Sequence, residues 1–214
     1  MSSILKPLDV NDANQVANLH IAGISAGFIS SLGIKFVTAL YEAIADNKYS
    51  FGFVVVDNKV VLGFVAFTTN IASLYKSIIL KNGLRFGFLL AGKLVSFKRI
   101  KKVFETIIYP SRIEKLVLPK AELLSIAISD AARGRGLATQ LTQRGFAECS
   151  KRGIEDVKVL VASMNSPANK LYLKCGFTLA GQIDNHGVVS NIYTAQTKGK
   201  GFGHVAVNGN SASI

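Results

Sequence analysis

The chain has 214 residues, 49% of them hydrophobic, which is enough to bury a substantial core in one domain and too apolar for an extended disordered polymer. Its 25 lysines and arginines against 13 aspartates and glutamates leave a net charge of +12, which favours anionic partners. Two cysteines, Cys149 and Cys175, lack metal-like or C-x-x-C spacing and exclude a disulfide scaffold; reduced thiols fit a cytoplasmic protein.

Ile4–Leu8 reads as a first strand. Asp9 or Asn11 can cap a helix running to about Ser25, with Val16, Leu19, Gly23 and Ile24 near helical spacing. Pro7, Asp9 and Asp12 stand where a signal peptide would need a basic stretch and an apolar core, so none is expected. The uncharged run Ala13–Ile34 has spanning length but contains Asn14, Gln15, Asn18 and His20, which makes it a poor membrane helix. Leu32, Phe36, Leu40, Tyr41 and Ile44 mark a second helix. Phe51–Val56 and Val60–Thr68 are β-branched runs separated by Asp57-Asn58-Lys59, a hairpin pattern.

Residues 70–118 follow. Ile78–Glu105 mixes apolar and basic residues at roughly helical intervals and predicts one or two basic amphipathic helices, ended by Tyr109-Pro110. No acidic residue occurs between Asp57 and Glu105, so this block presents a positive surface to an anion, or else a merely solvated basic face. Next come a strand at Glu122–Ile128, a helix from Thr139 to Arg152, a strand at Val157–Ala162 and a helix from Pro167 to Lys174. Phe177–Ile183 and Val188–Ala195 read as a closing pair of strands turned through Asp184–Gly187. Residues 1–197 are expected to form a single domain and 198–214 a flexible tail rich in Gly, Ser and Asn.

Between the strand at 122–128 and the next helix stands Arg133-Gly134-Arg135-Gly136-Leu137-Ala138. A Gly-rich turn of this kind leaves backbone N–H groups at a helix start, where the helix dipole holds an anion such as a pyrophosphate. The glycines let a ligand approach the backbone, and Arg133 and Arg135 add full charges. A Rossmann fingerprint would need a third glycine at position 139, which is Thr. Some thirty residues on comes Asn165-Ser166-Pro167-Ala168-Asn169-Lys170-Leu171-Tyr172-Leu173-Lys174-Cys175-Gly176-Phe177.

Together these two segments resemble the paired cofactor-binding motifs of the GNAT superfamily of N-acetyltransferases. The resemblance is sharpest over 122–178. It implies an α/β (α+β) GNAT fold, with a mixed central sheet of about seven strands flanked by helices; residues 70–118 then form a basic helical insertion between strands 3 and 4. It implies acetyl-CoA as the cofactor, with Arg133, Gly134, Arg135, Gly136, Leu137 and Ala138 at the pyrophosphate. The backbone of Ile126 and Ile128 would bond the pantetheine arm as an added strand, and a backbone N–H of that strand would polarise the thioester carbonyl. Asn165 and Asn169 would bond the pantetheine or pyrophosphate, or cap the helix behind Pro167.

Tyr172 matches the family tyrosine that lies near the cofactor sulfur and serves as general acid, with packing beside Leu171 and Phe177 as its structural alternative. Phe177 itself reads as core. Glu122, six residues before Ile128, matches the catalytic glutamate of the histone-acetylating branch; its alternative is a solvated strand-end residue beside Lys120. His186, in a polar turn, is a second candidate base, water alone a third, and His20 in the first helix lines the acceptor cleft or packs. No cluster has metal-ligand spacing.

The function expected is direct transfer of acetyl from acetyl-CoA to a primary amine, an amino sugar or other anionic small-molecule acceptor being favoured by the basic block. Protein lysine or N-terminal amines are the alternative acceptors. A non-catalytic acyl-CoA-binding module docking on membrane or nucleic acid is the alternative of another class. No metal or nucleic-acid partner is expected, and peripheral membrane contact is the lesser reading. Apolar positions on 70–118 would form a homodimer contact or cover the acceptor site.

Overall fold

The structure, a computed structural model, describes residues 3–25, 27–91, 117–185 and 188–198. The part of the predicted insertion beyond Ala91, His186, His204 and the tail beyond Lys198 lie outside the described residues.

Seven strands form one mixed sheet: β1 (Ile4–Pro7), β2 (Ser50–Asp57), β3 (Val60–Thr68), β4 (Ala121–Ile128), β5 (Asp156–Ala162), β6 (Thr178–Asn185) and β7 (Val188–Gln196), in the order β1-β2-β3-β4-β5-β7-β6. All neighbours are antiparallel except β4 and β5. The helices are α1 (Ala13–Gly23), α2 (Phe28–Ser31), α3 (Ile34–Ala45), α4 (Ile71–Ala91), α5 (Leu137–Lys151) and α6 (Ser166–Lys174).

Both faces of the sheet are covered, which is why β2 and β3 are almost continuously apolar. On one face α5 and α6 pack over Phe67, Leu123, Val159 and Tyr193. Leu137, Leu141, Gly145, Phe146 and Cys149 make the buried stripe of α5. Gly145 permits the contact, because a Cβ there would lie 2.1 Å from the Phe67 ring. On the other face Val16, Val37 and Tyr41, from α1 and α3, pack over Val54 and Phe64.

Helix α5 starts at Leu137 rather than Thr139, because Gly136 in the left-handed region (φ 74°) is its N-cap. The helix of the insertion begins at Ile71 rather than Ile78, and α2 carries no periodic signal at four residues. Helix α4 packs on α3 through Leu74, Ile78 and an edge-to-face contact between Phe86 and Phe36. Helix α4 therefore lies on the α1–α3 face of the sheet.

Candidate active site

Strand β4 is where the sheet opens. It pairs with β5 only at Ala121↔Val157 and Glu122↔Lys158. On its other side β3 follows it from Thr68↔Glu122 to Gly63↔Ile128, with a register shift that leaves Leu124 as the extra residue. Ser129 N–H bonds the carbonyl of Leu62, 2.8 Å away on the β3 side. Alternation along the strand then turns the N–H and C=O groups of Ile128 and Ile126 the other way, toward the diverging β5. Their side chains pack on the α5–α6 core, so these residues offer a ligand their backbone.

The turn after β4 leads to the same opening. Gly134 and Gly136 have φ of 77° and 74°, and a Cβ on either would project into open space. No side chain caps the first turn of α5, so its leading N–H groups point outward as the anion site of a helix start requires. Arg133 is 62% exposed and pairs with Asp130 at 2.9 Å; Arg135 donates to the Ala131 carbonyl at 3.0 Å. Leu137 is a core residue and Ala138 is half-buried. A pyrophosphate would thus meet backbone donors and two guanidinium groups.

Helix α6 closes the far side of the opening. Asn165 caps it, its side chain accepting from the Ala168 N–H at 3.2 Å. Asn169 Nδ2 donates to the carbonyls of Asn165 and Ala162 at 2.7 and 3.1 Å. Its Oδ1 accepts from Asn191 Nδ2 at 2.7 Å and from the Tyr193 hydroxyl at 2.9 Å. Asn169 thus binds α6 to the end of β5 and to β7, a structural duty in place of a free amide. Tyr172 packs its ring against Phe177 and Tyr193, and burial raises its phenol well above the usual tyrosine range. Among the described residues none bonds its hydroxyl.

Glu122 lies on the opposite face of β4. Its side chain is 14% exposed, and its carboxylate is 3.3 Å from Nζ of Lys158, its partner across the last rung of the β4–β5 ladder. The sequence offered Lys120 as its neighbour; the strand pairing supplies Lys158, which also donates to the Pro119 carbonyl at 2.7 Å. Burial raises the Glu122 carboxyl, and the Lys158 charge pulls it part of the way back. Tyr75 of α4 stands near enough that, after burial, the Glu122 charge helps to raise its phenol. The acid and base candidates therefore flank the β4–β5 opening from opposite faces.

A second polar feature was missed because each member is a lone residue in an apolar pattern. His20 Nδ1, the Tyr41 hydroxyl and Ser125 Oγ form a buried chain, with steps of 2.6 and 2.7 Å, from α1 through α3 to β4. His20 is 7% exposed, packs between Tyr41 and Phe64, and is pulled down to about 4 by burial. His20 therefore packs in the helix-covered core. Among the described residues, no group of three or more His, Cys, Asp and Glu could hold a metal ion.

Comparisons with known proteins agree with this fold. A mycothiol acetyltransferase of Nocardioides sp. is 40% identical over 65 residues, covering 30% of this chain and 22% of that protein; the chain thus matches only a small part of this relative's length. The N-acetyltransferase of Staphylococcus aureus Mu50 superposes with a TM-score of 0.57 at 20% identity, covering 92% of this chain and all of that one (100%). The ribosomal-protein-S18-alanine N-acetyltransferase of Escherichia coli gives 0.58 at 14% identity, covering 94% and 97%. At such identities these structures show the shared fold. The acetyltransferase (GNAT) family model matches residues 25–177, most of the chain, and the protein belongs to that family.

Proposed function

We propose that the protein transfers an acetyl group from acetyl-CoA directly to a primary amine, the acceptor being a small anionic molecule such as an amino sugar carried on a phosphate or nucleotide. The carrying observation is the divergence of β5 from β4 beside an uncapped, glycine-opened helix start. The residues present fit the cofactor: backbone donors for a pyrophosphate, and the outward edge of Ile126 and Ile128 for an extended amide arm. When bound, acetyl-CoA supplies the activated acyl group.

The side chains divide the remaining work. Glu122, on the α3–α4 face, accepts the proton that an ammonium must lose before it can attack, and the Lys158 charge opposes the burial that favours its protonated form. Tyr172, on the α5–α6 face, holds a proton at its hydroxyl for the thiol leaving group. The net charge of +12 draws anionic acceptors toward the protein.

Calorimetric titration with acetyl-CoA, CoA and a long-chain acyl-CoA tests the cofactor. Stoichiometric binding of acetyl-CoA is expected, and no binding of any of the three overturns the reading. A screen of nucleotide-linked amino sugars beside peptides with free N-termini or lysines tests the acceptor. Turnover of peptides alone would replace the small acceptor by a protein.

A further inference from the structure

The outward surface of α4 has a chemistry that its inner face does not explain. Among its 21 residues the buried ones are Leu74 and Ile78, which face α3. On the far side Leu80, Leu84 and Phe88 recur every four residues and stand 75, 85 and 81% exposed. Exposed Gly87 and Ala91 continue this strip. The helix carries Lys76, Lys81 and Arg85 and no acidic residue. Arg85 turns back to pair with Glu42 of α3. At about 100° per residue, Lys76 and Lys81 fall on the two edges of the Leu80–Leu84–Phe88 strip.

An apolar strip edged by lysines on both sides matches one environment closely. Leucine and phenylalanine side chains enter the boundary between headgroups and acyl chains, while lysine stems lie along the strip and their ammonium groups reach lipid phosphates. A second copy of the same face would fit poorly, because like charges would meet at a dehydrating contact. No described helix is long and apolar enough to cross a membrane, so the helix would lie on the surface.

We propose that α4 is an interfacial helix that docks the protein on membranes containing anionic lipid, through Leu80, Leu84 and Phe88 flanked by Lys76 and Lys81. Docking places Glu122, beside Tyr75 on the inner face of the same helix, roughly one helix diameter (~10 Å) from the bilayer surface. The docking surface is separate from the pyrophosphate turn, and the proposal does not depend on the transferase reading.

The test is co-sedimentation of the full chain with phosphatidylcholine vesicles, with and without phosphatidylglycerol, at low and high salt. Association with the phosphatidylglycerol vesicles, weakened by salt, is expected. Leu84→Asp with Phe88→Asp should lower the partition coefficient by at least about tenfold, and Lys76→Glu with Lys81→Glu by a similar factor. Lys59→Glu with Lys151→Glu makes the same change of net charge on exposed lysines away from α4 and should cost far less. All these positions are exposed, and unchanged circular dichroism and melting would show that the variants fold. Failure of the unaltered chain to bind phosphatidylglycerol vesicles overturns the proposal. So does an equal loss in the Lys59/Lys151 control, which would reduce the effect to overall charge. Self-association abolished by Leu84→Asp, without vesicle binding, would assign the strip to a dimer instead.

Discussion

His20 ties the buried polar chain to a measurable pH dependence of stability. In the fold its imidazole is held to about 4, because burial disfavours the charged form, against 6.5 for the free side chain. The folded value is the depressed one, so the contribution is present above pH 6.5 and is lost as pH falls through 6.5 toward 4, where the unfolded chain binds a proton that the folded chain refuses. The gap between 6.5 and about 4, at 1.36 kcal/mol per unit, amounts to about 3 kcal/mol, a large fraction of the stability of a single domain. Urea unfolding at a series of pH values between 7 and 4 would measure it. His20→Phe should lower stability at pH 7, because Tyr41 loses a partner at 2.6 Å. It should also remove most of the slope between pH 6.5 and 4. An unchanged slope in His20→Phe would refute the account and move the titration elsewhere.

Tyr172→Phe should slow acetyl transfer by about tenfold or more while leaving acetyl-CoA affinity nearly unchanged; full turnover would remove the hydroxyl from the mechanism. Glu122 must be ionised to act as base, so kcat/KM should fall on the acid side. Lys158→Met, which removes the charge that opposes burial, should move that limb to higher pH. A limb that stays in place would mean that another group titrates. Gly136→Glu puts a carboxylate and a side chain at φ 74° where the pyrophosphate would sit. Calorimetry should show acetyl-CoA affinity reduced by about tenfold or more, and retained affinity would undo the assignment of the turn. Asn169→Ala should cost about 1–3 kcal/mol in denaturant unfolding, because it leaves Asn191 and Tyr193 without their shared acceptor; a neutral result would mean that water replaces it.

What could be read without coordinates was what is local. The turn Arg133–Ala138 announces itself through glycines between a strand and a helix, and the resemblance to the family singles out the backbone of Ile126 and Ile128. Lys158 could not be read this way. It follows Glu122 by more than thirty positions, and only the β4–β5 rung makes them neighbours. The same holds for His20, Tyr41 and Ser125, whose meeting depends on how α1 and α3 cross the sheet. Asn165 and Asn169 had two readings each, and three-dimensional neighbours give both of them structural partners: a cap for one, a four-way bracket for the other. Tyr172 has the core ring of its packing alternative and a hydroxyl that no described residue bonds.

Only two rungs of main-chain ladder join β1–β4 to β5–β7–β6. The protein is therefore closer to two half-sheets hinged at one corner than to a continuous seven-stranded plate. Packing of α5 and α6 spans the corner on one face, joining Phe67 and Leu123 of one half to Val159 and Tyr193 of the other. A molecule lodged along the open edge of β4 would act as a splint between them. Its arrival should register as slower amide exchange in Ile126 and Ile128, at the margin of the gap, while the β2–β3 ladder, already paired from Ser50↔Thr68 to Asp57↔Val60, would exchange as before.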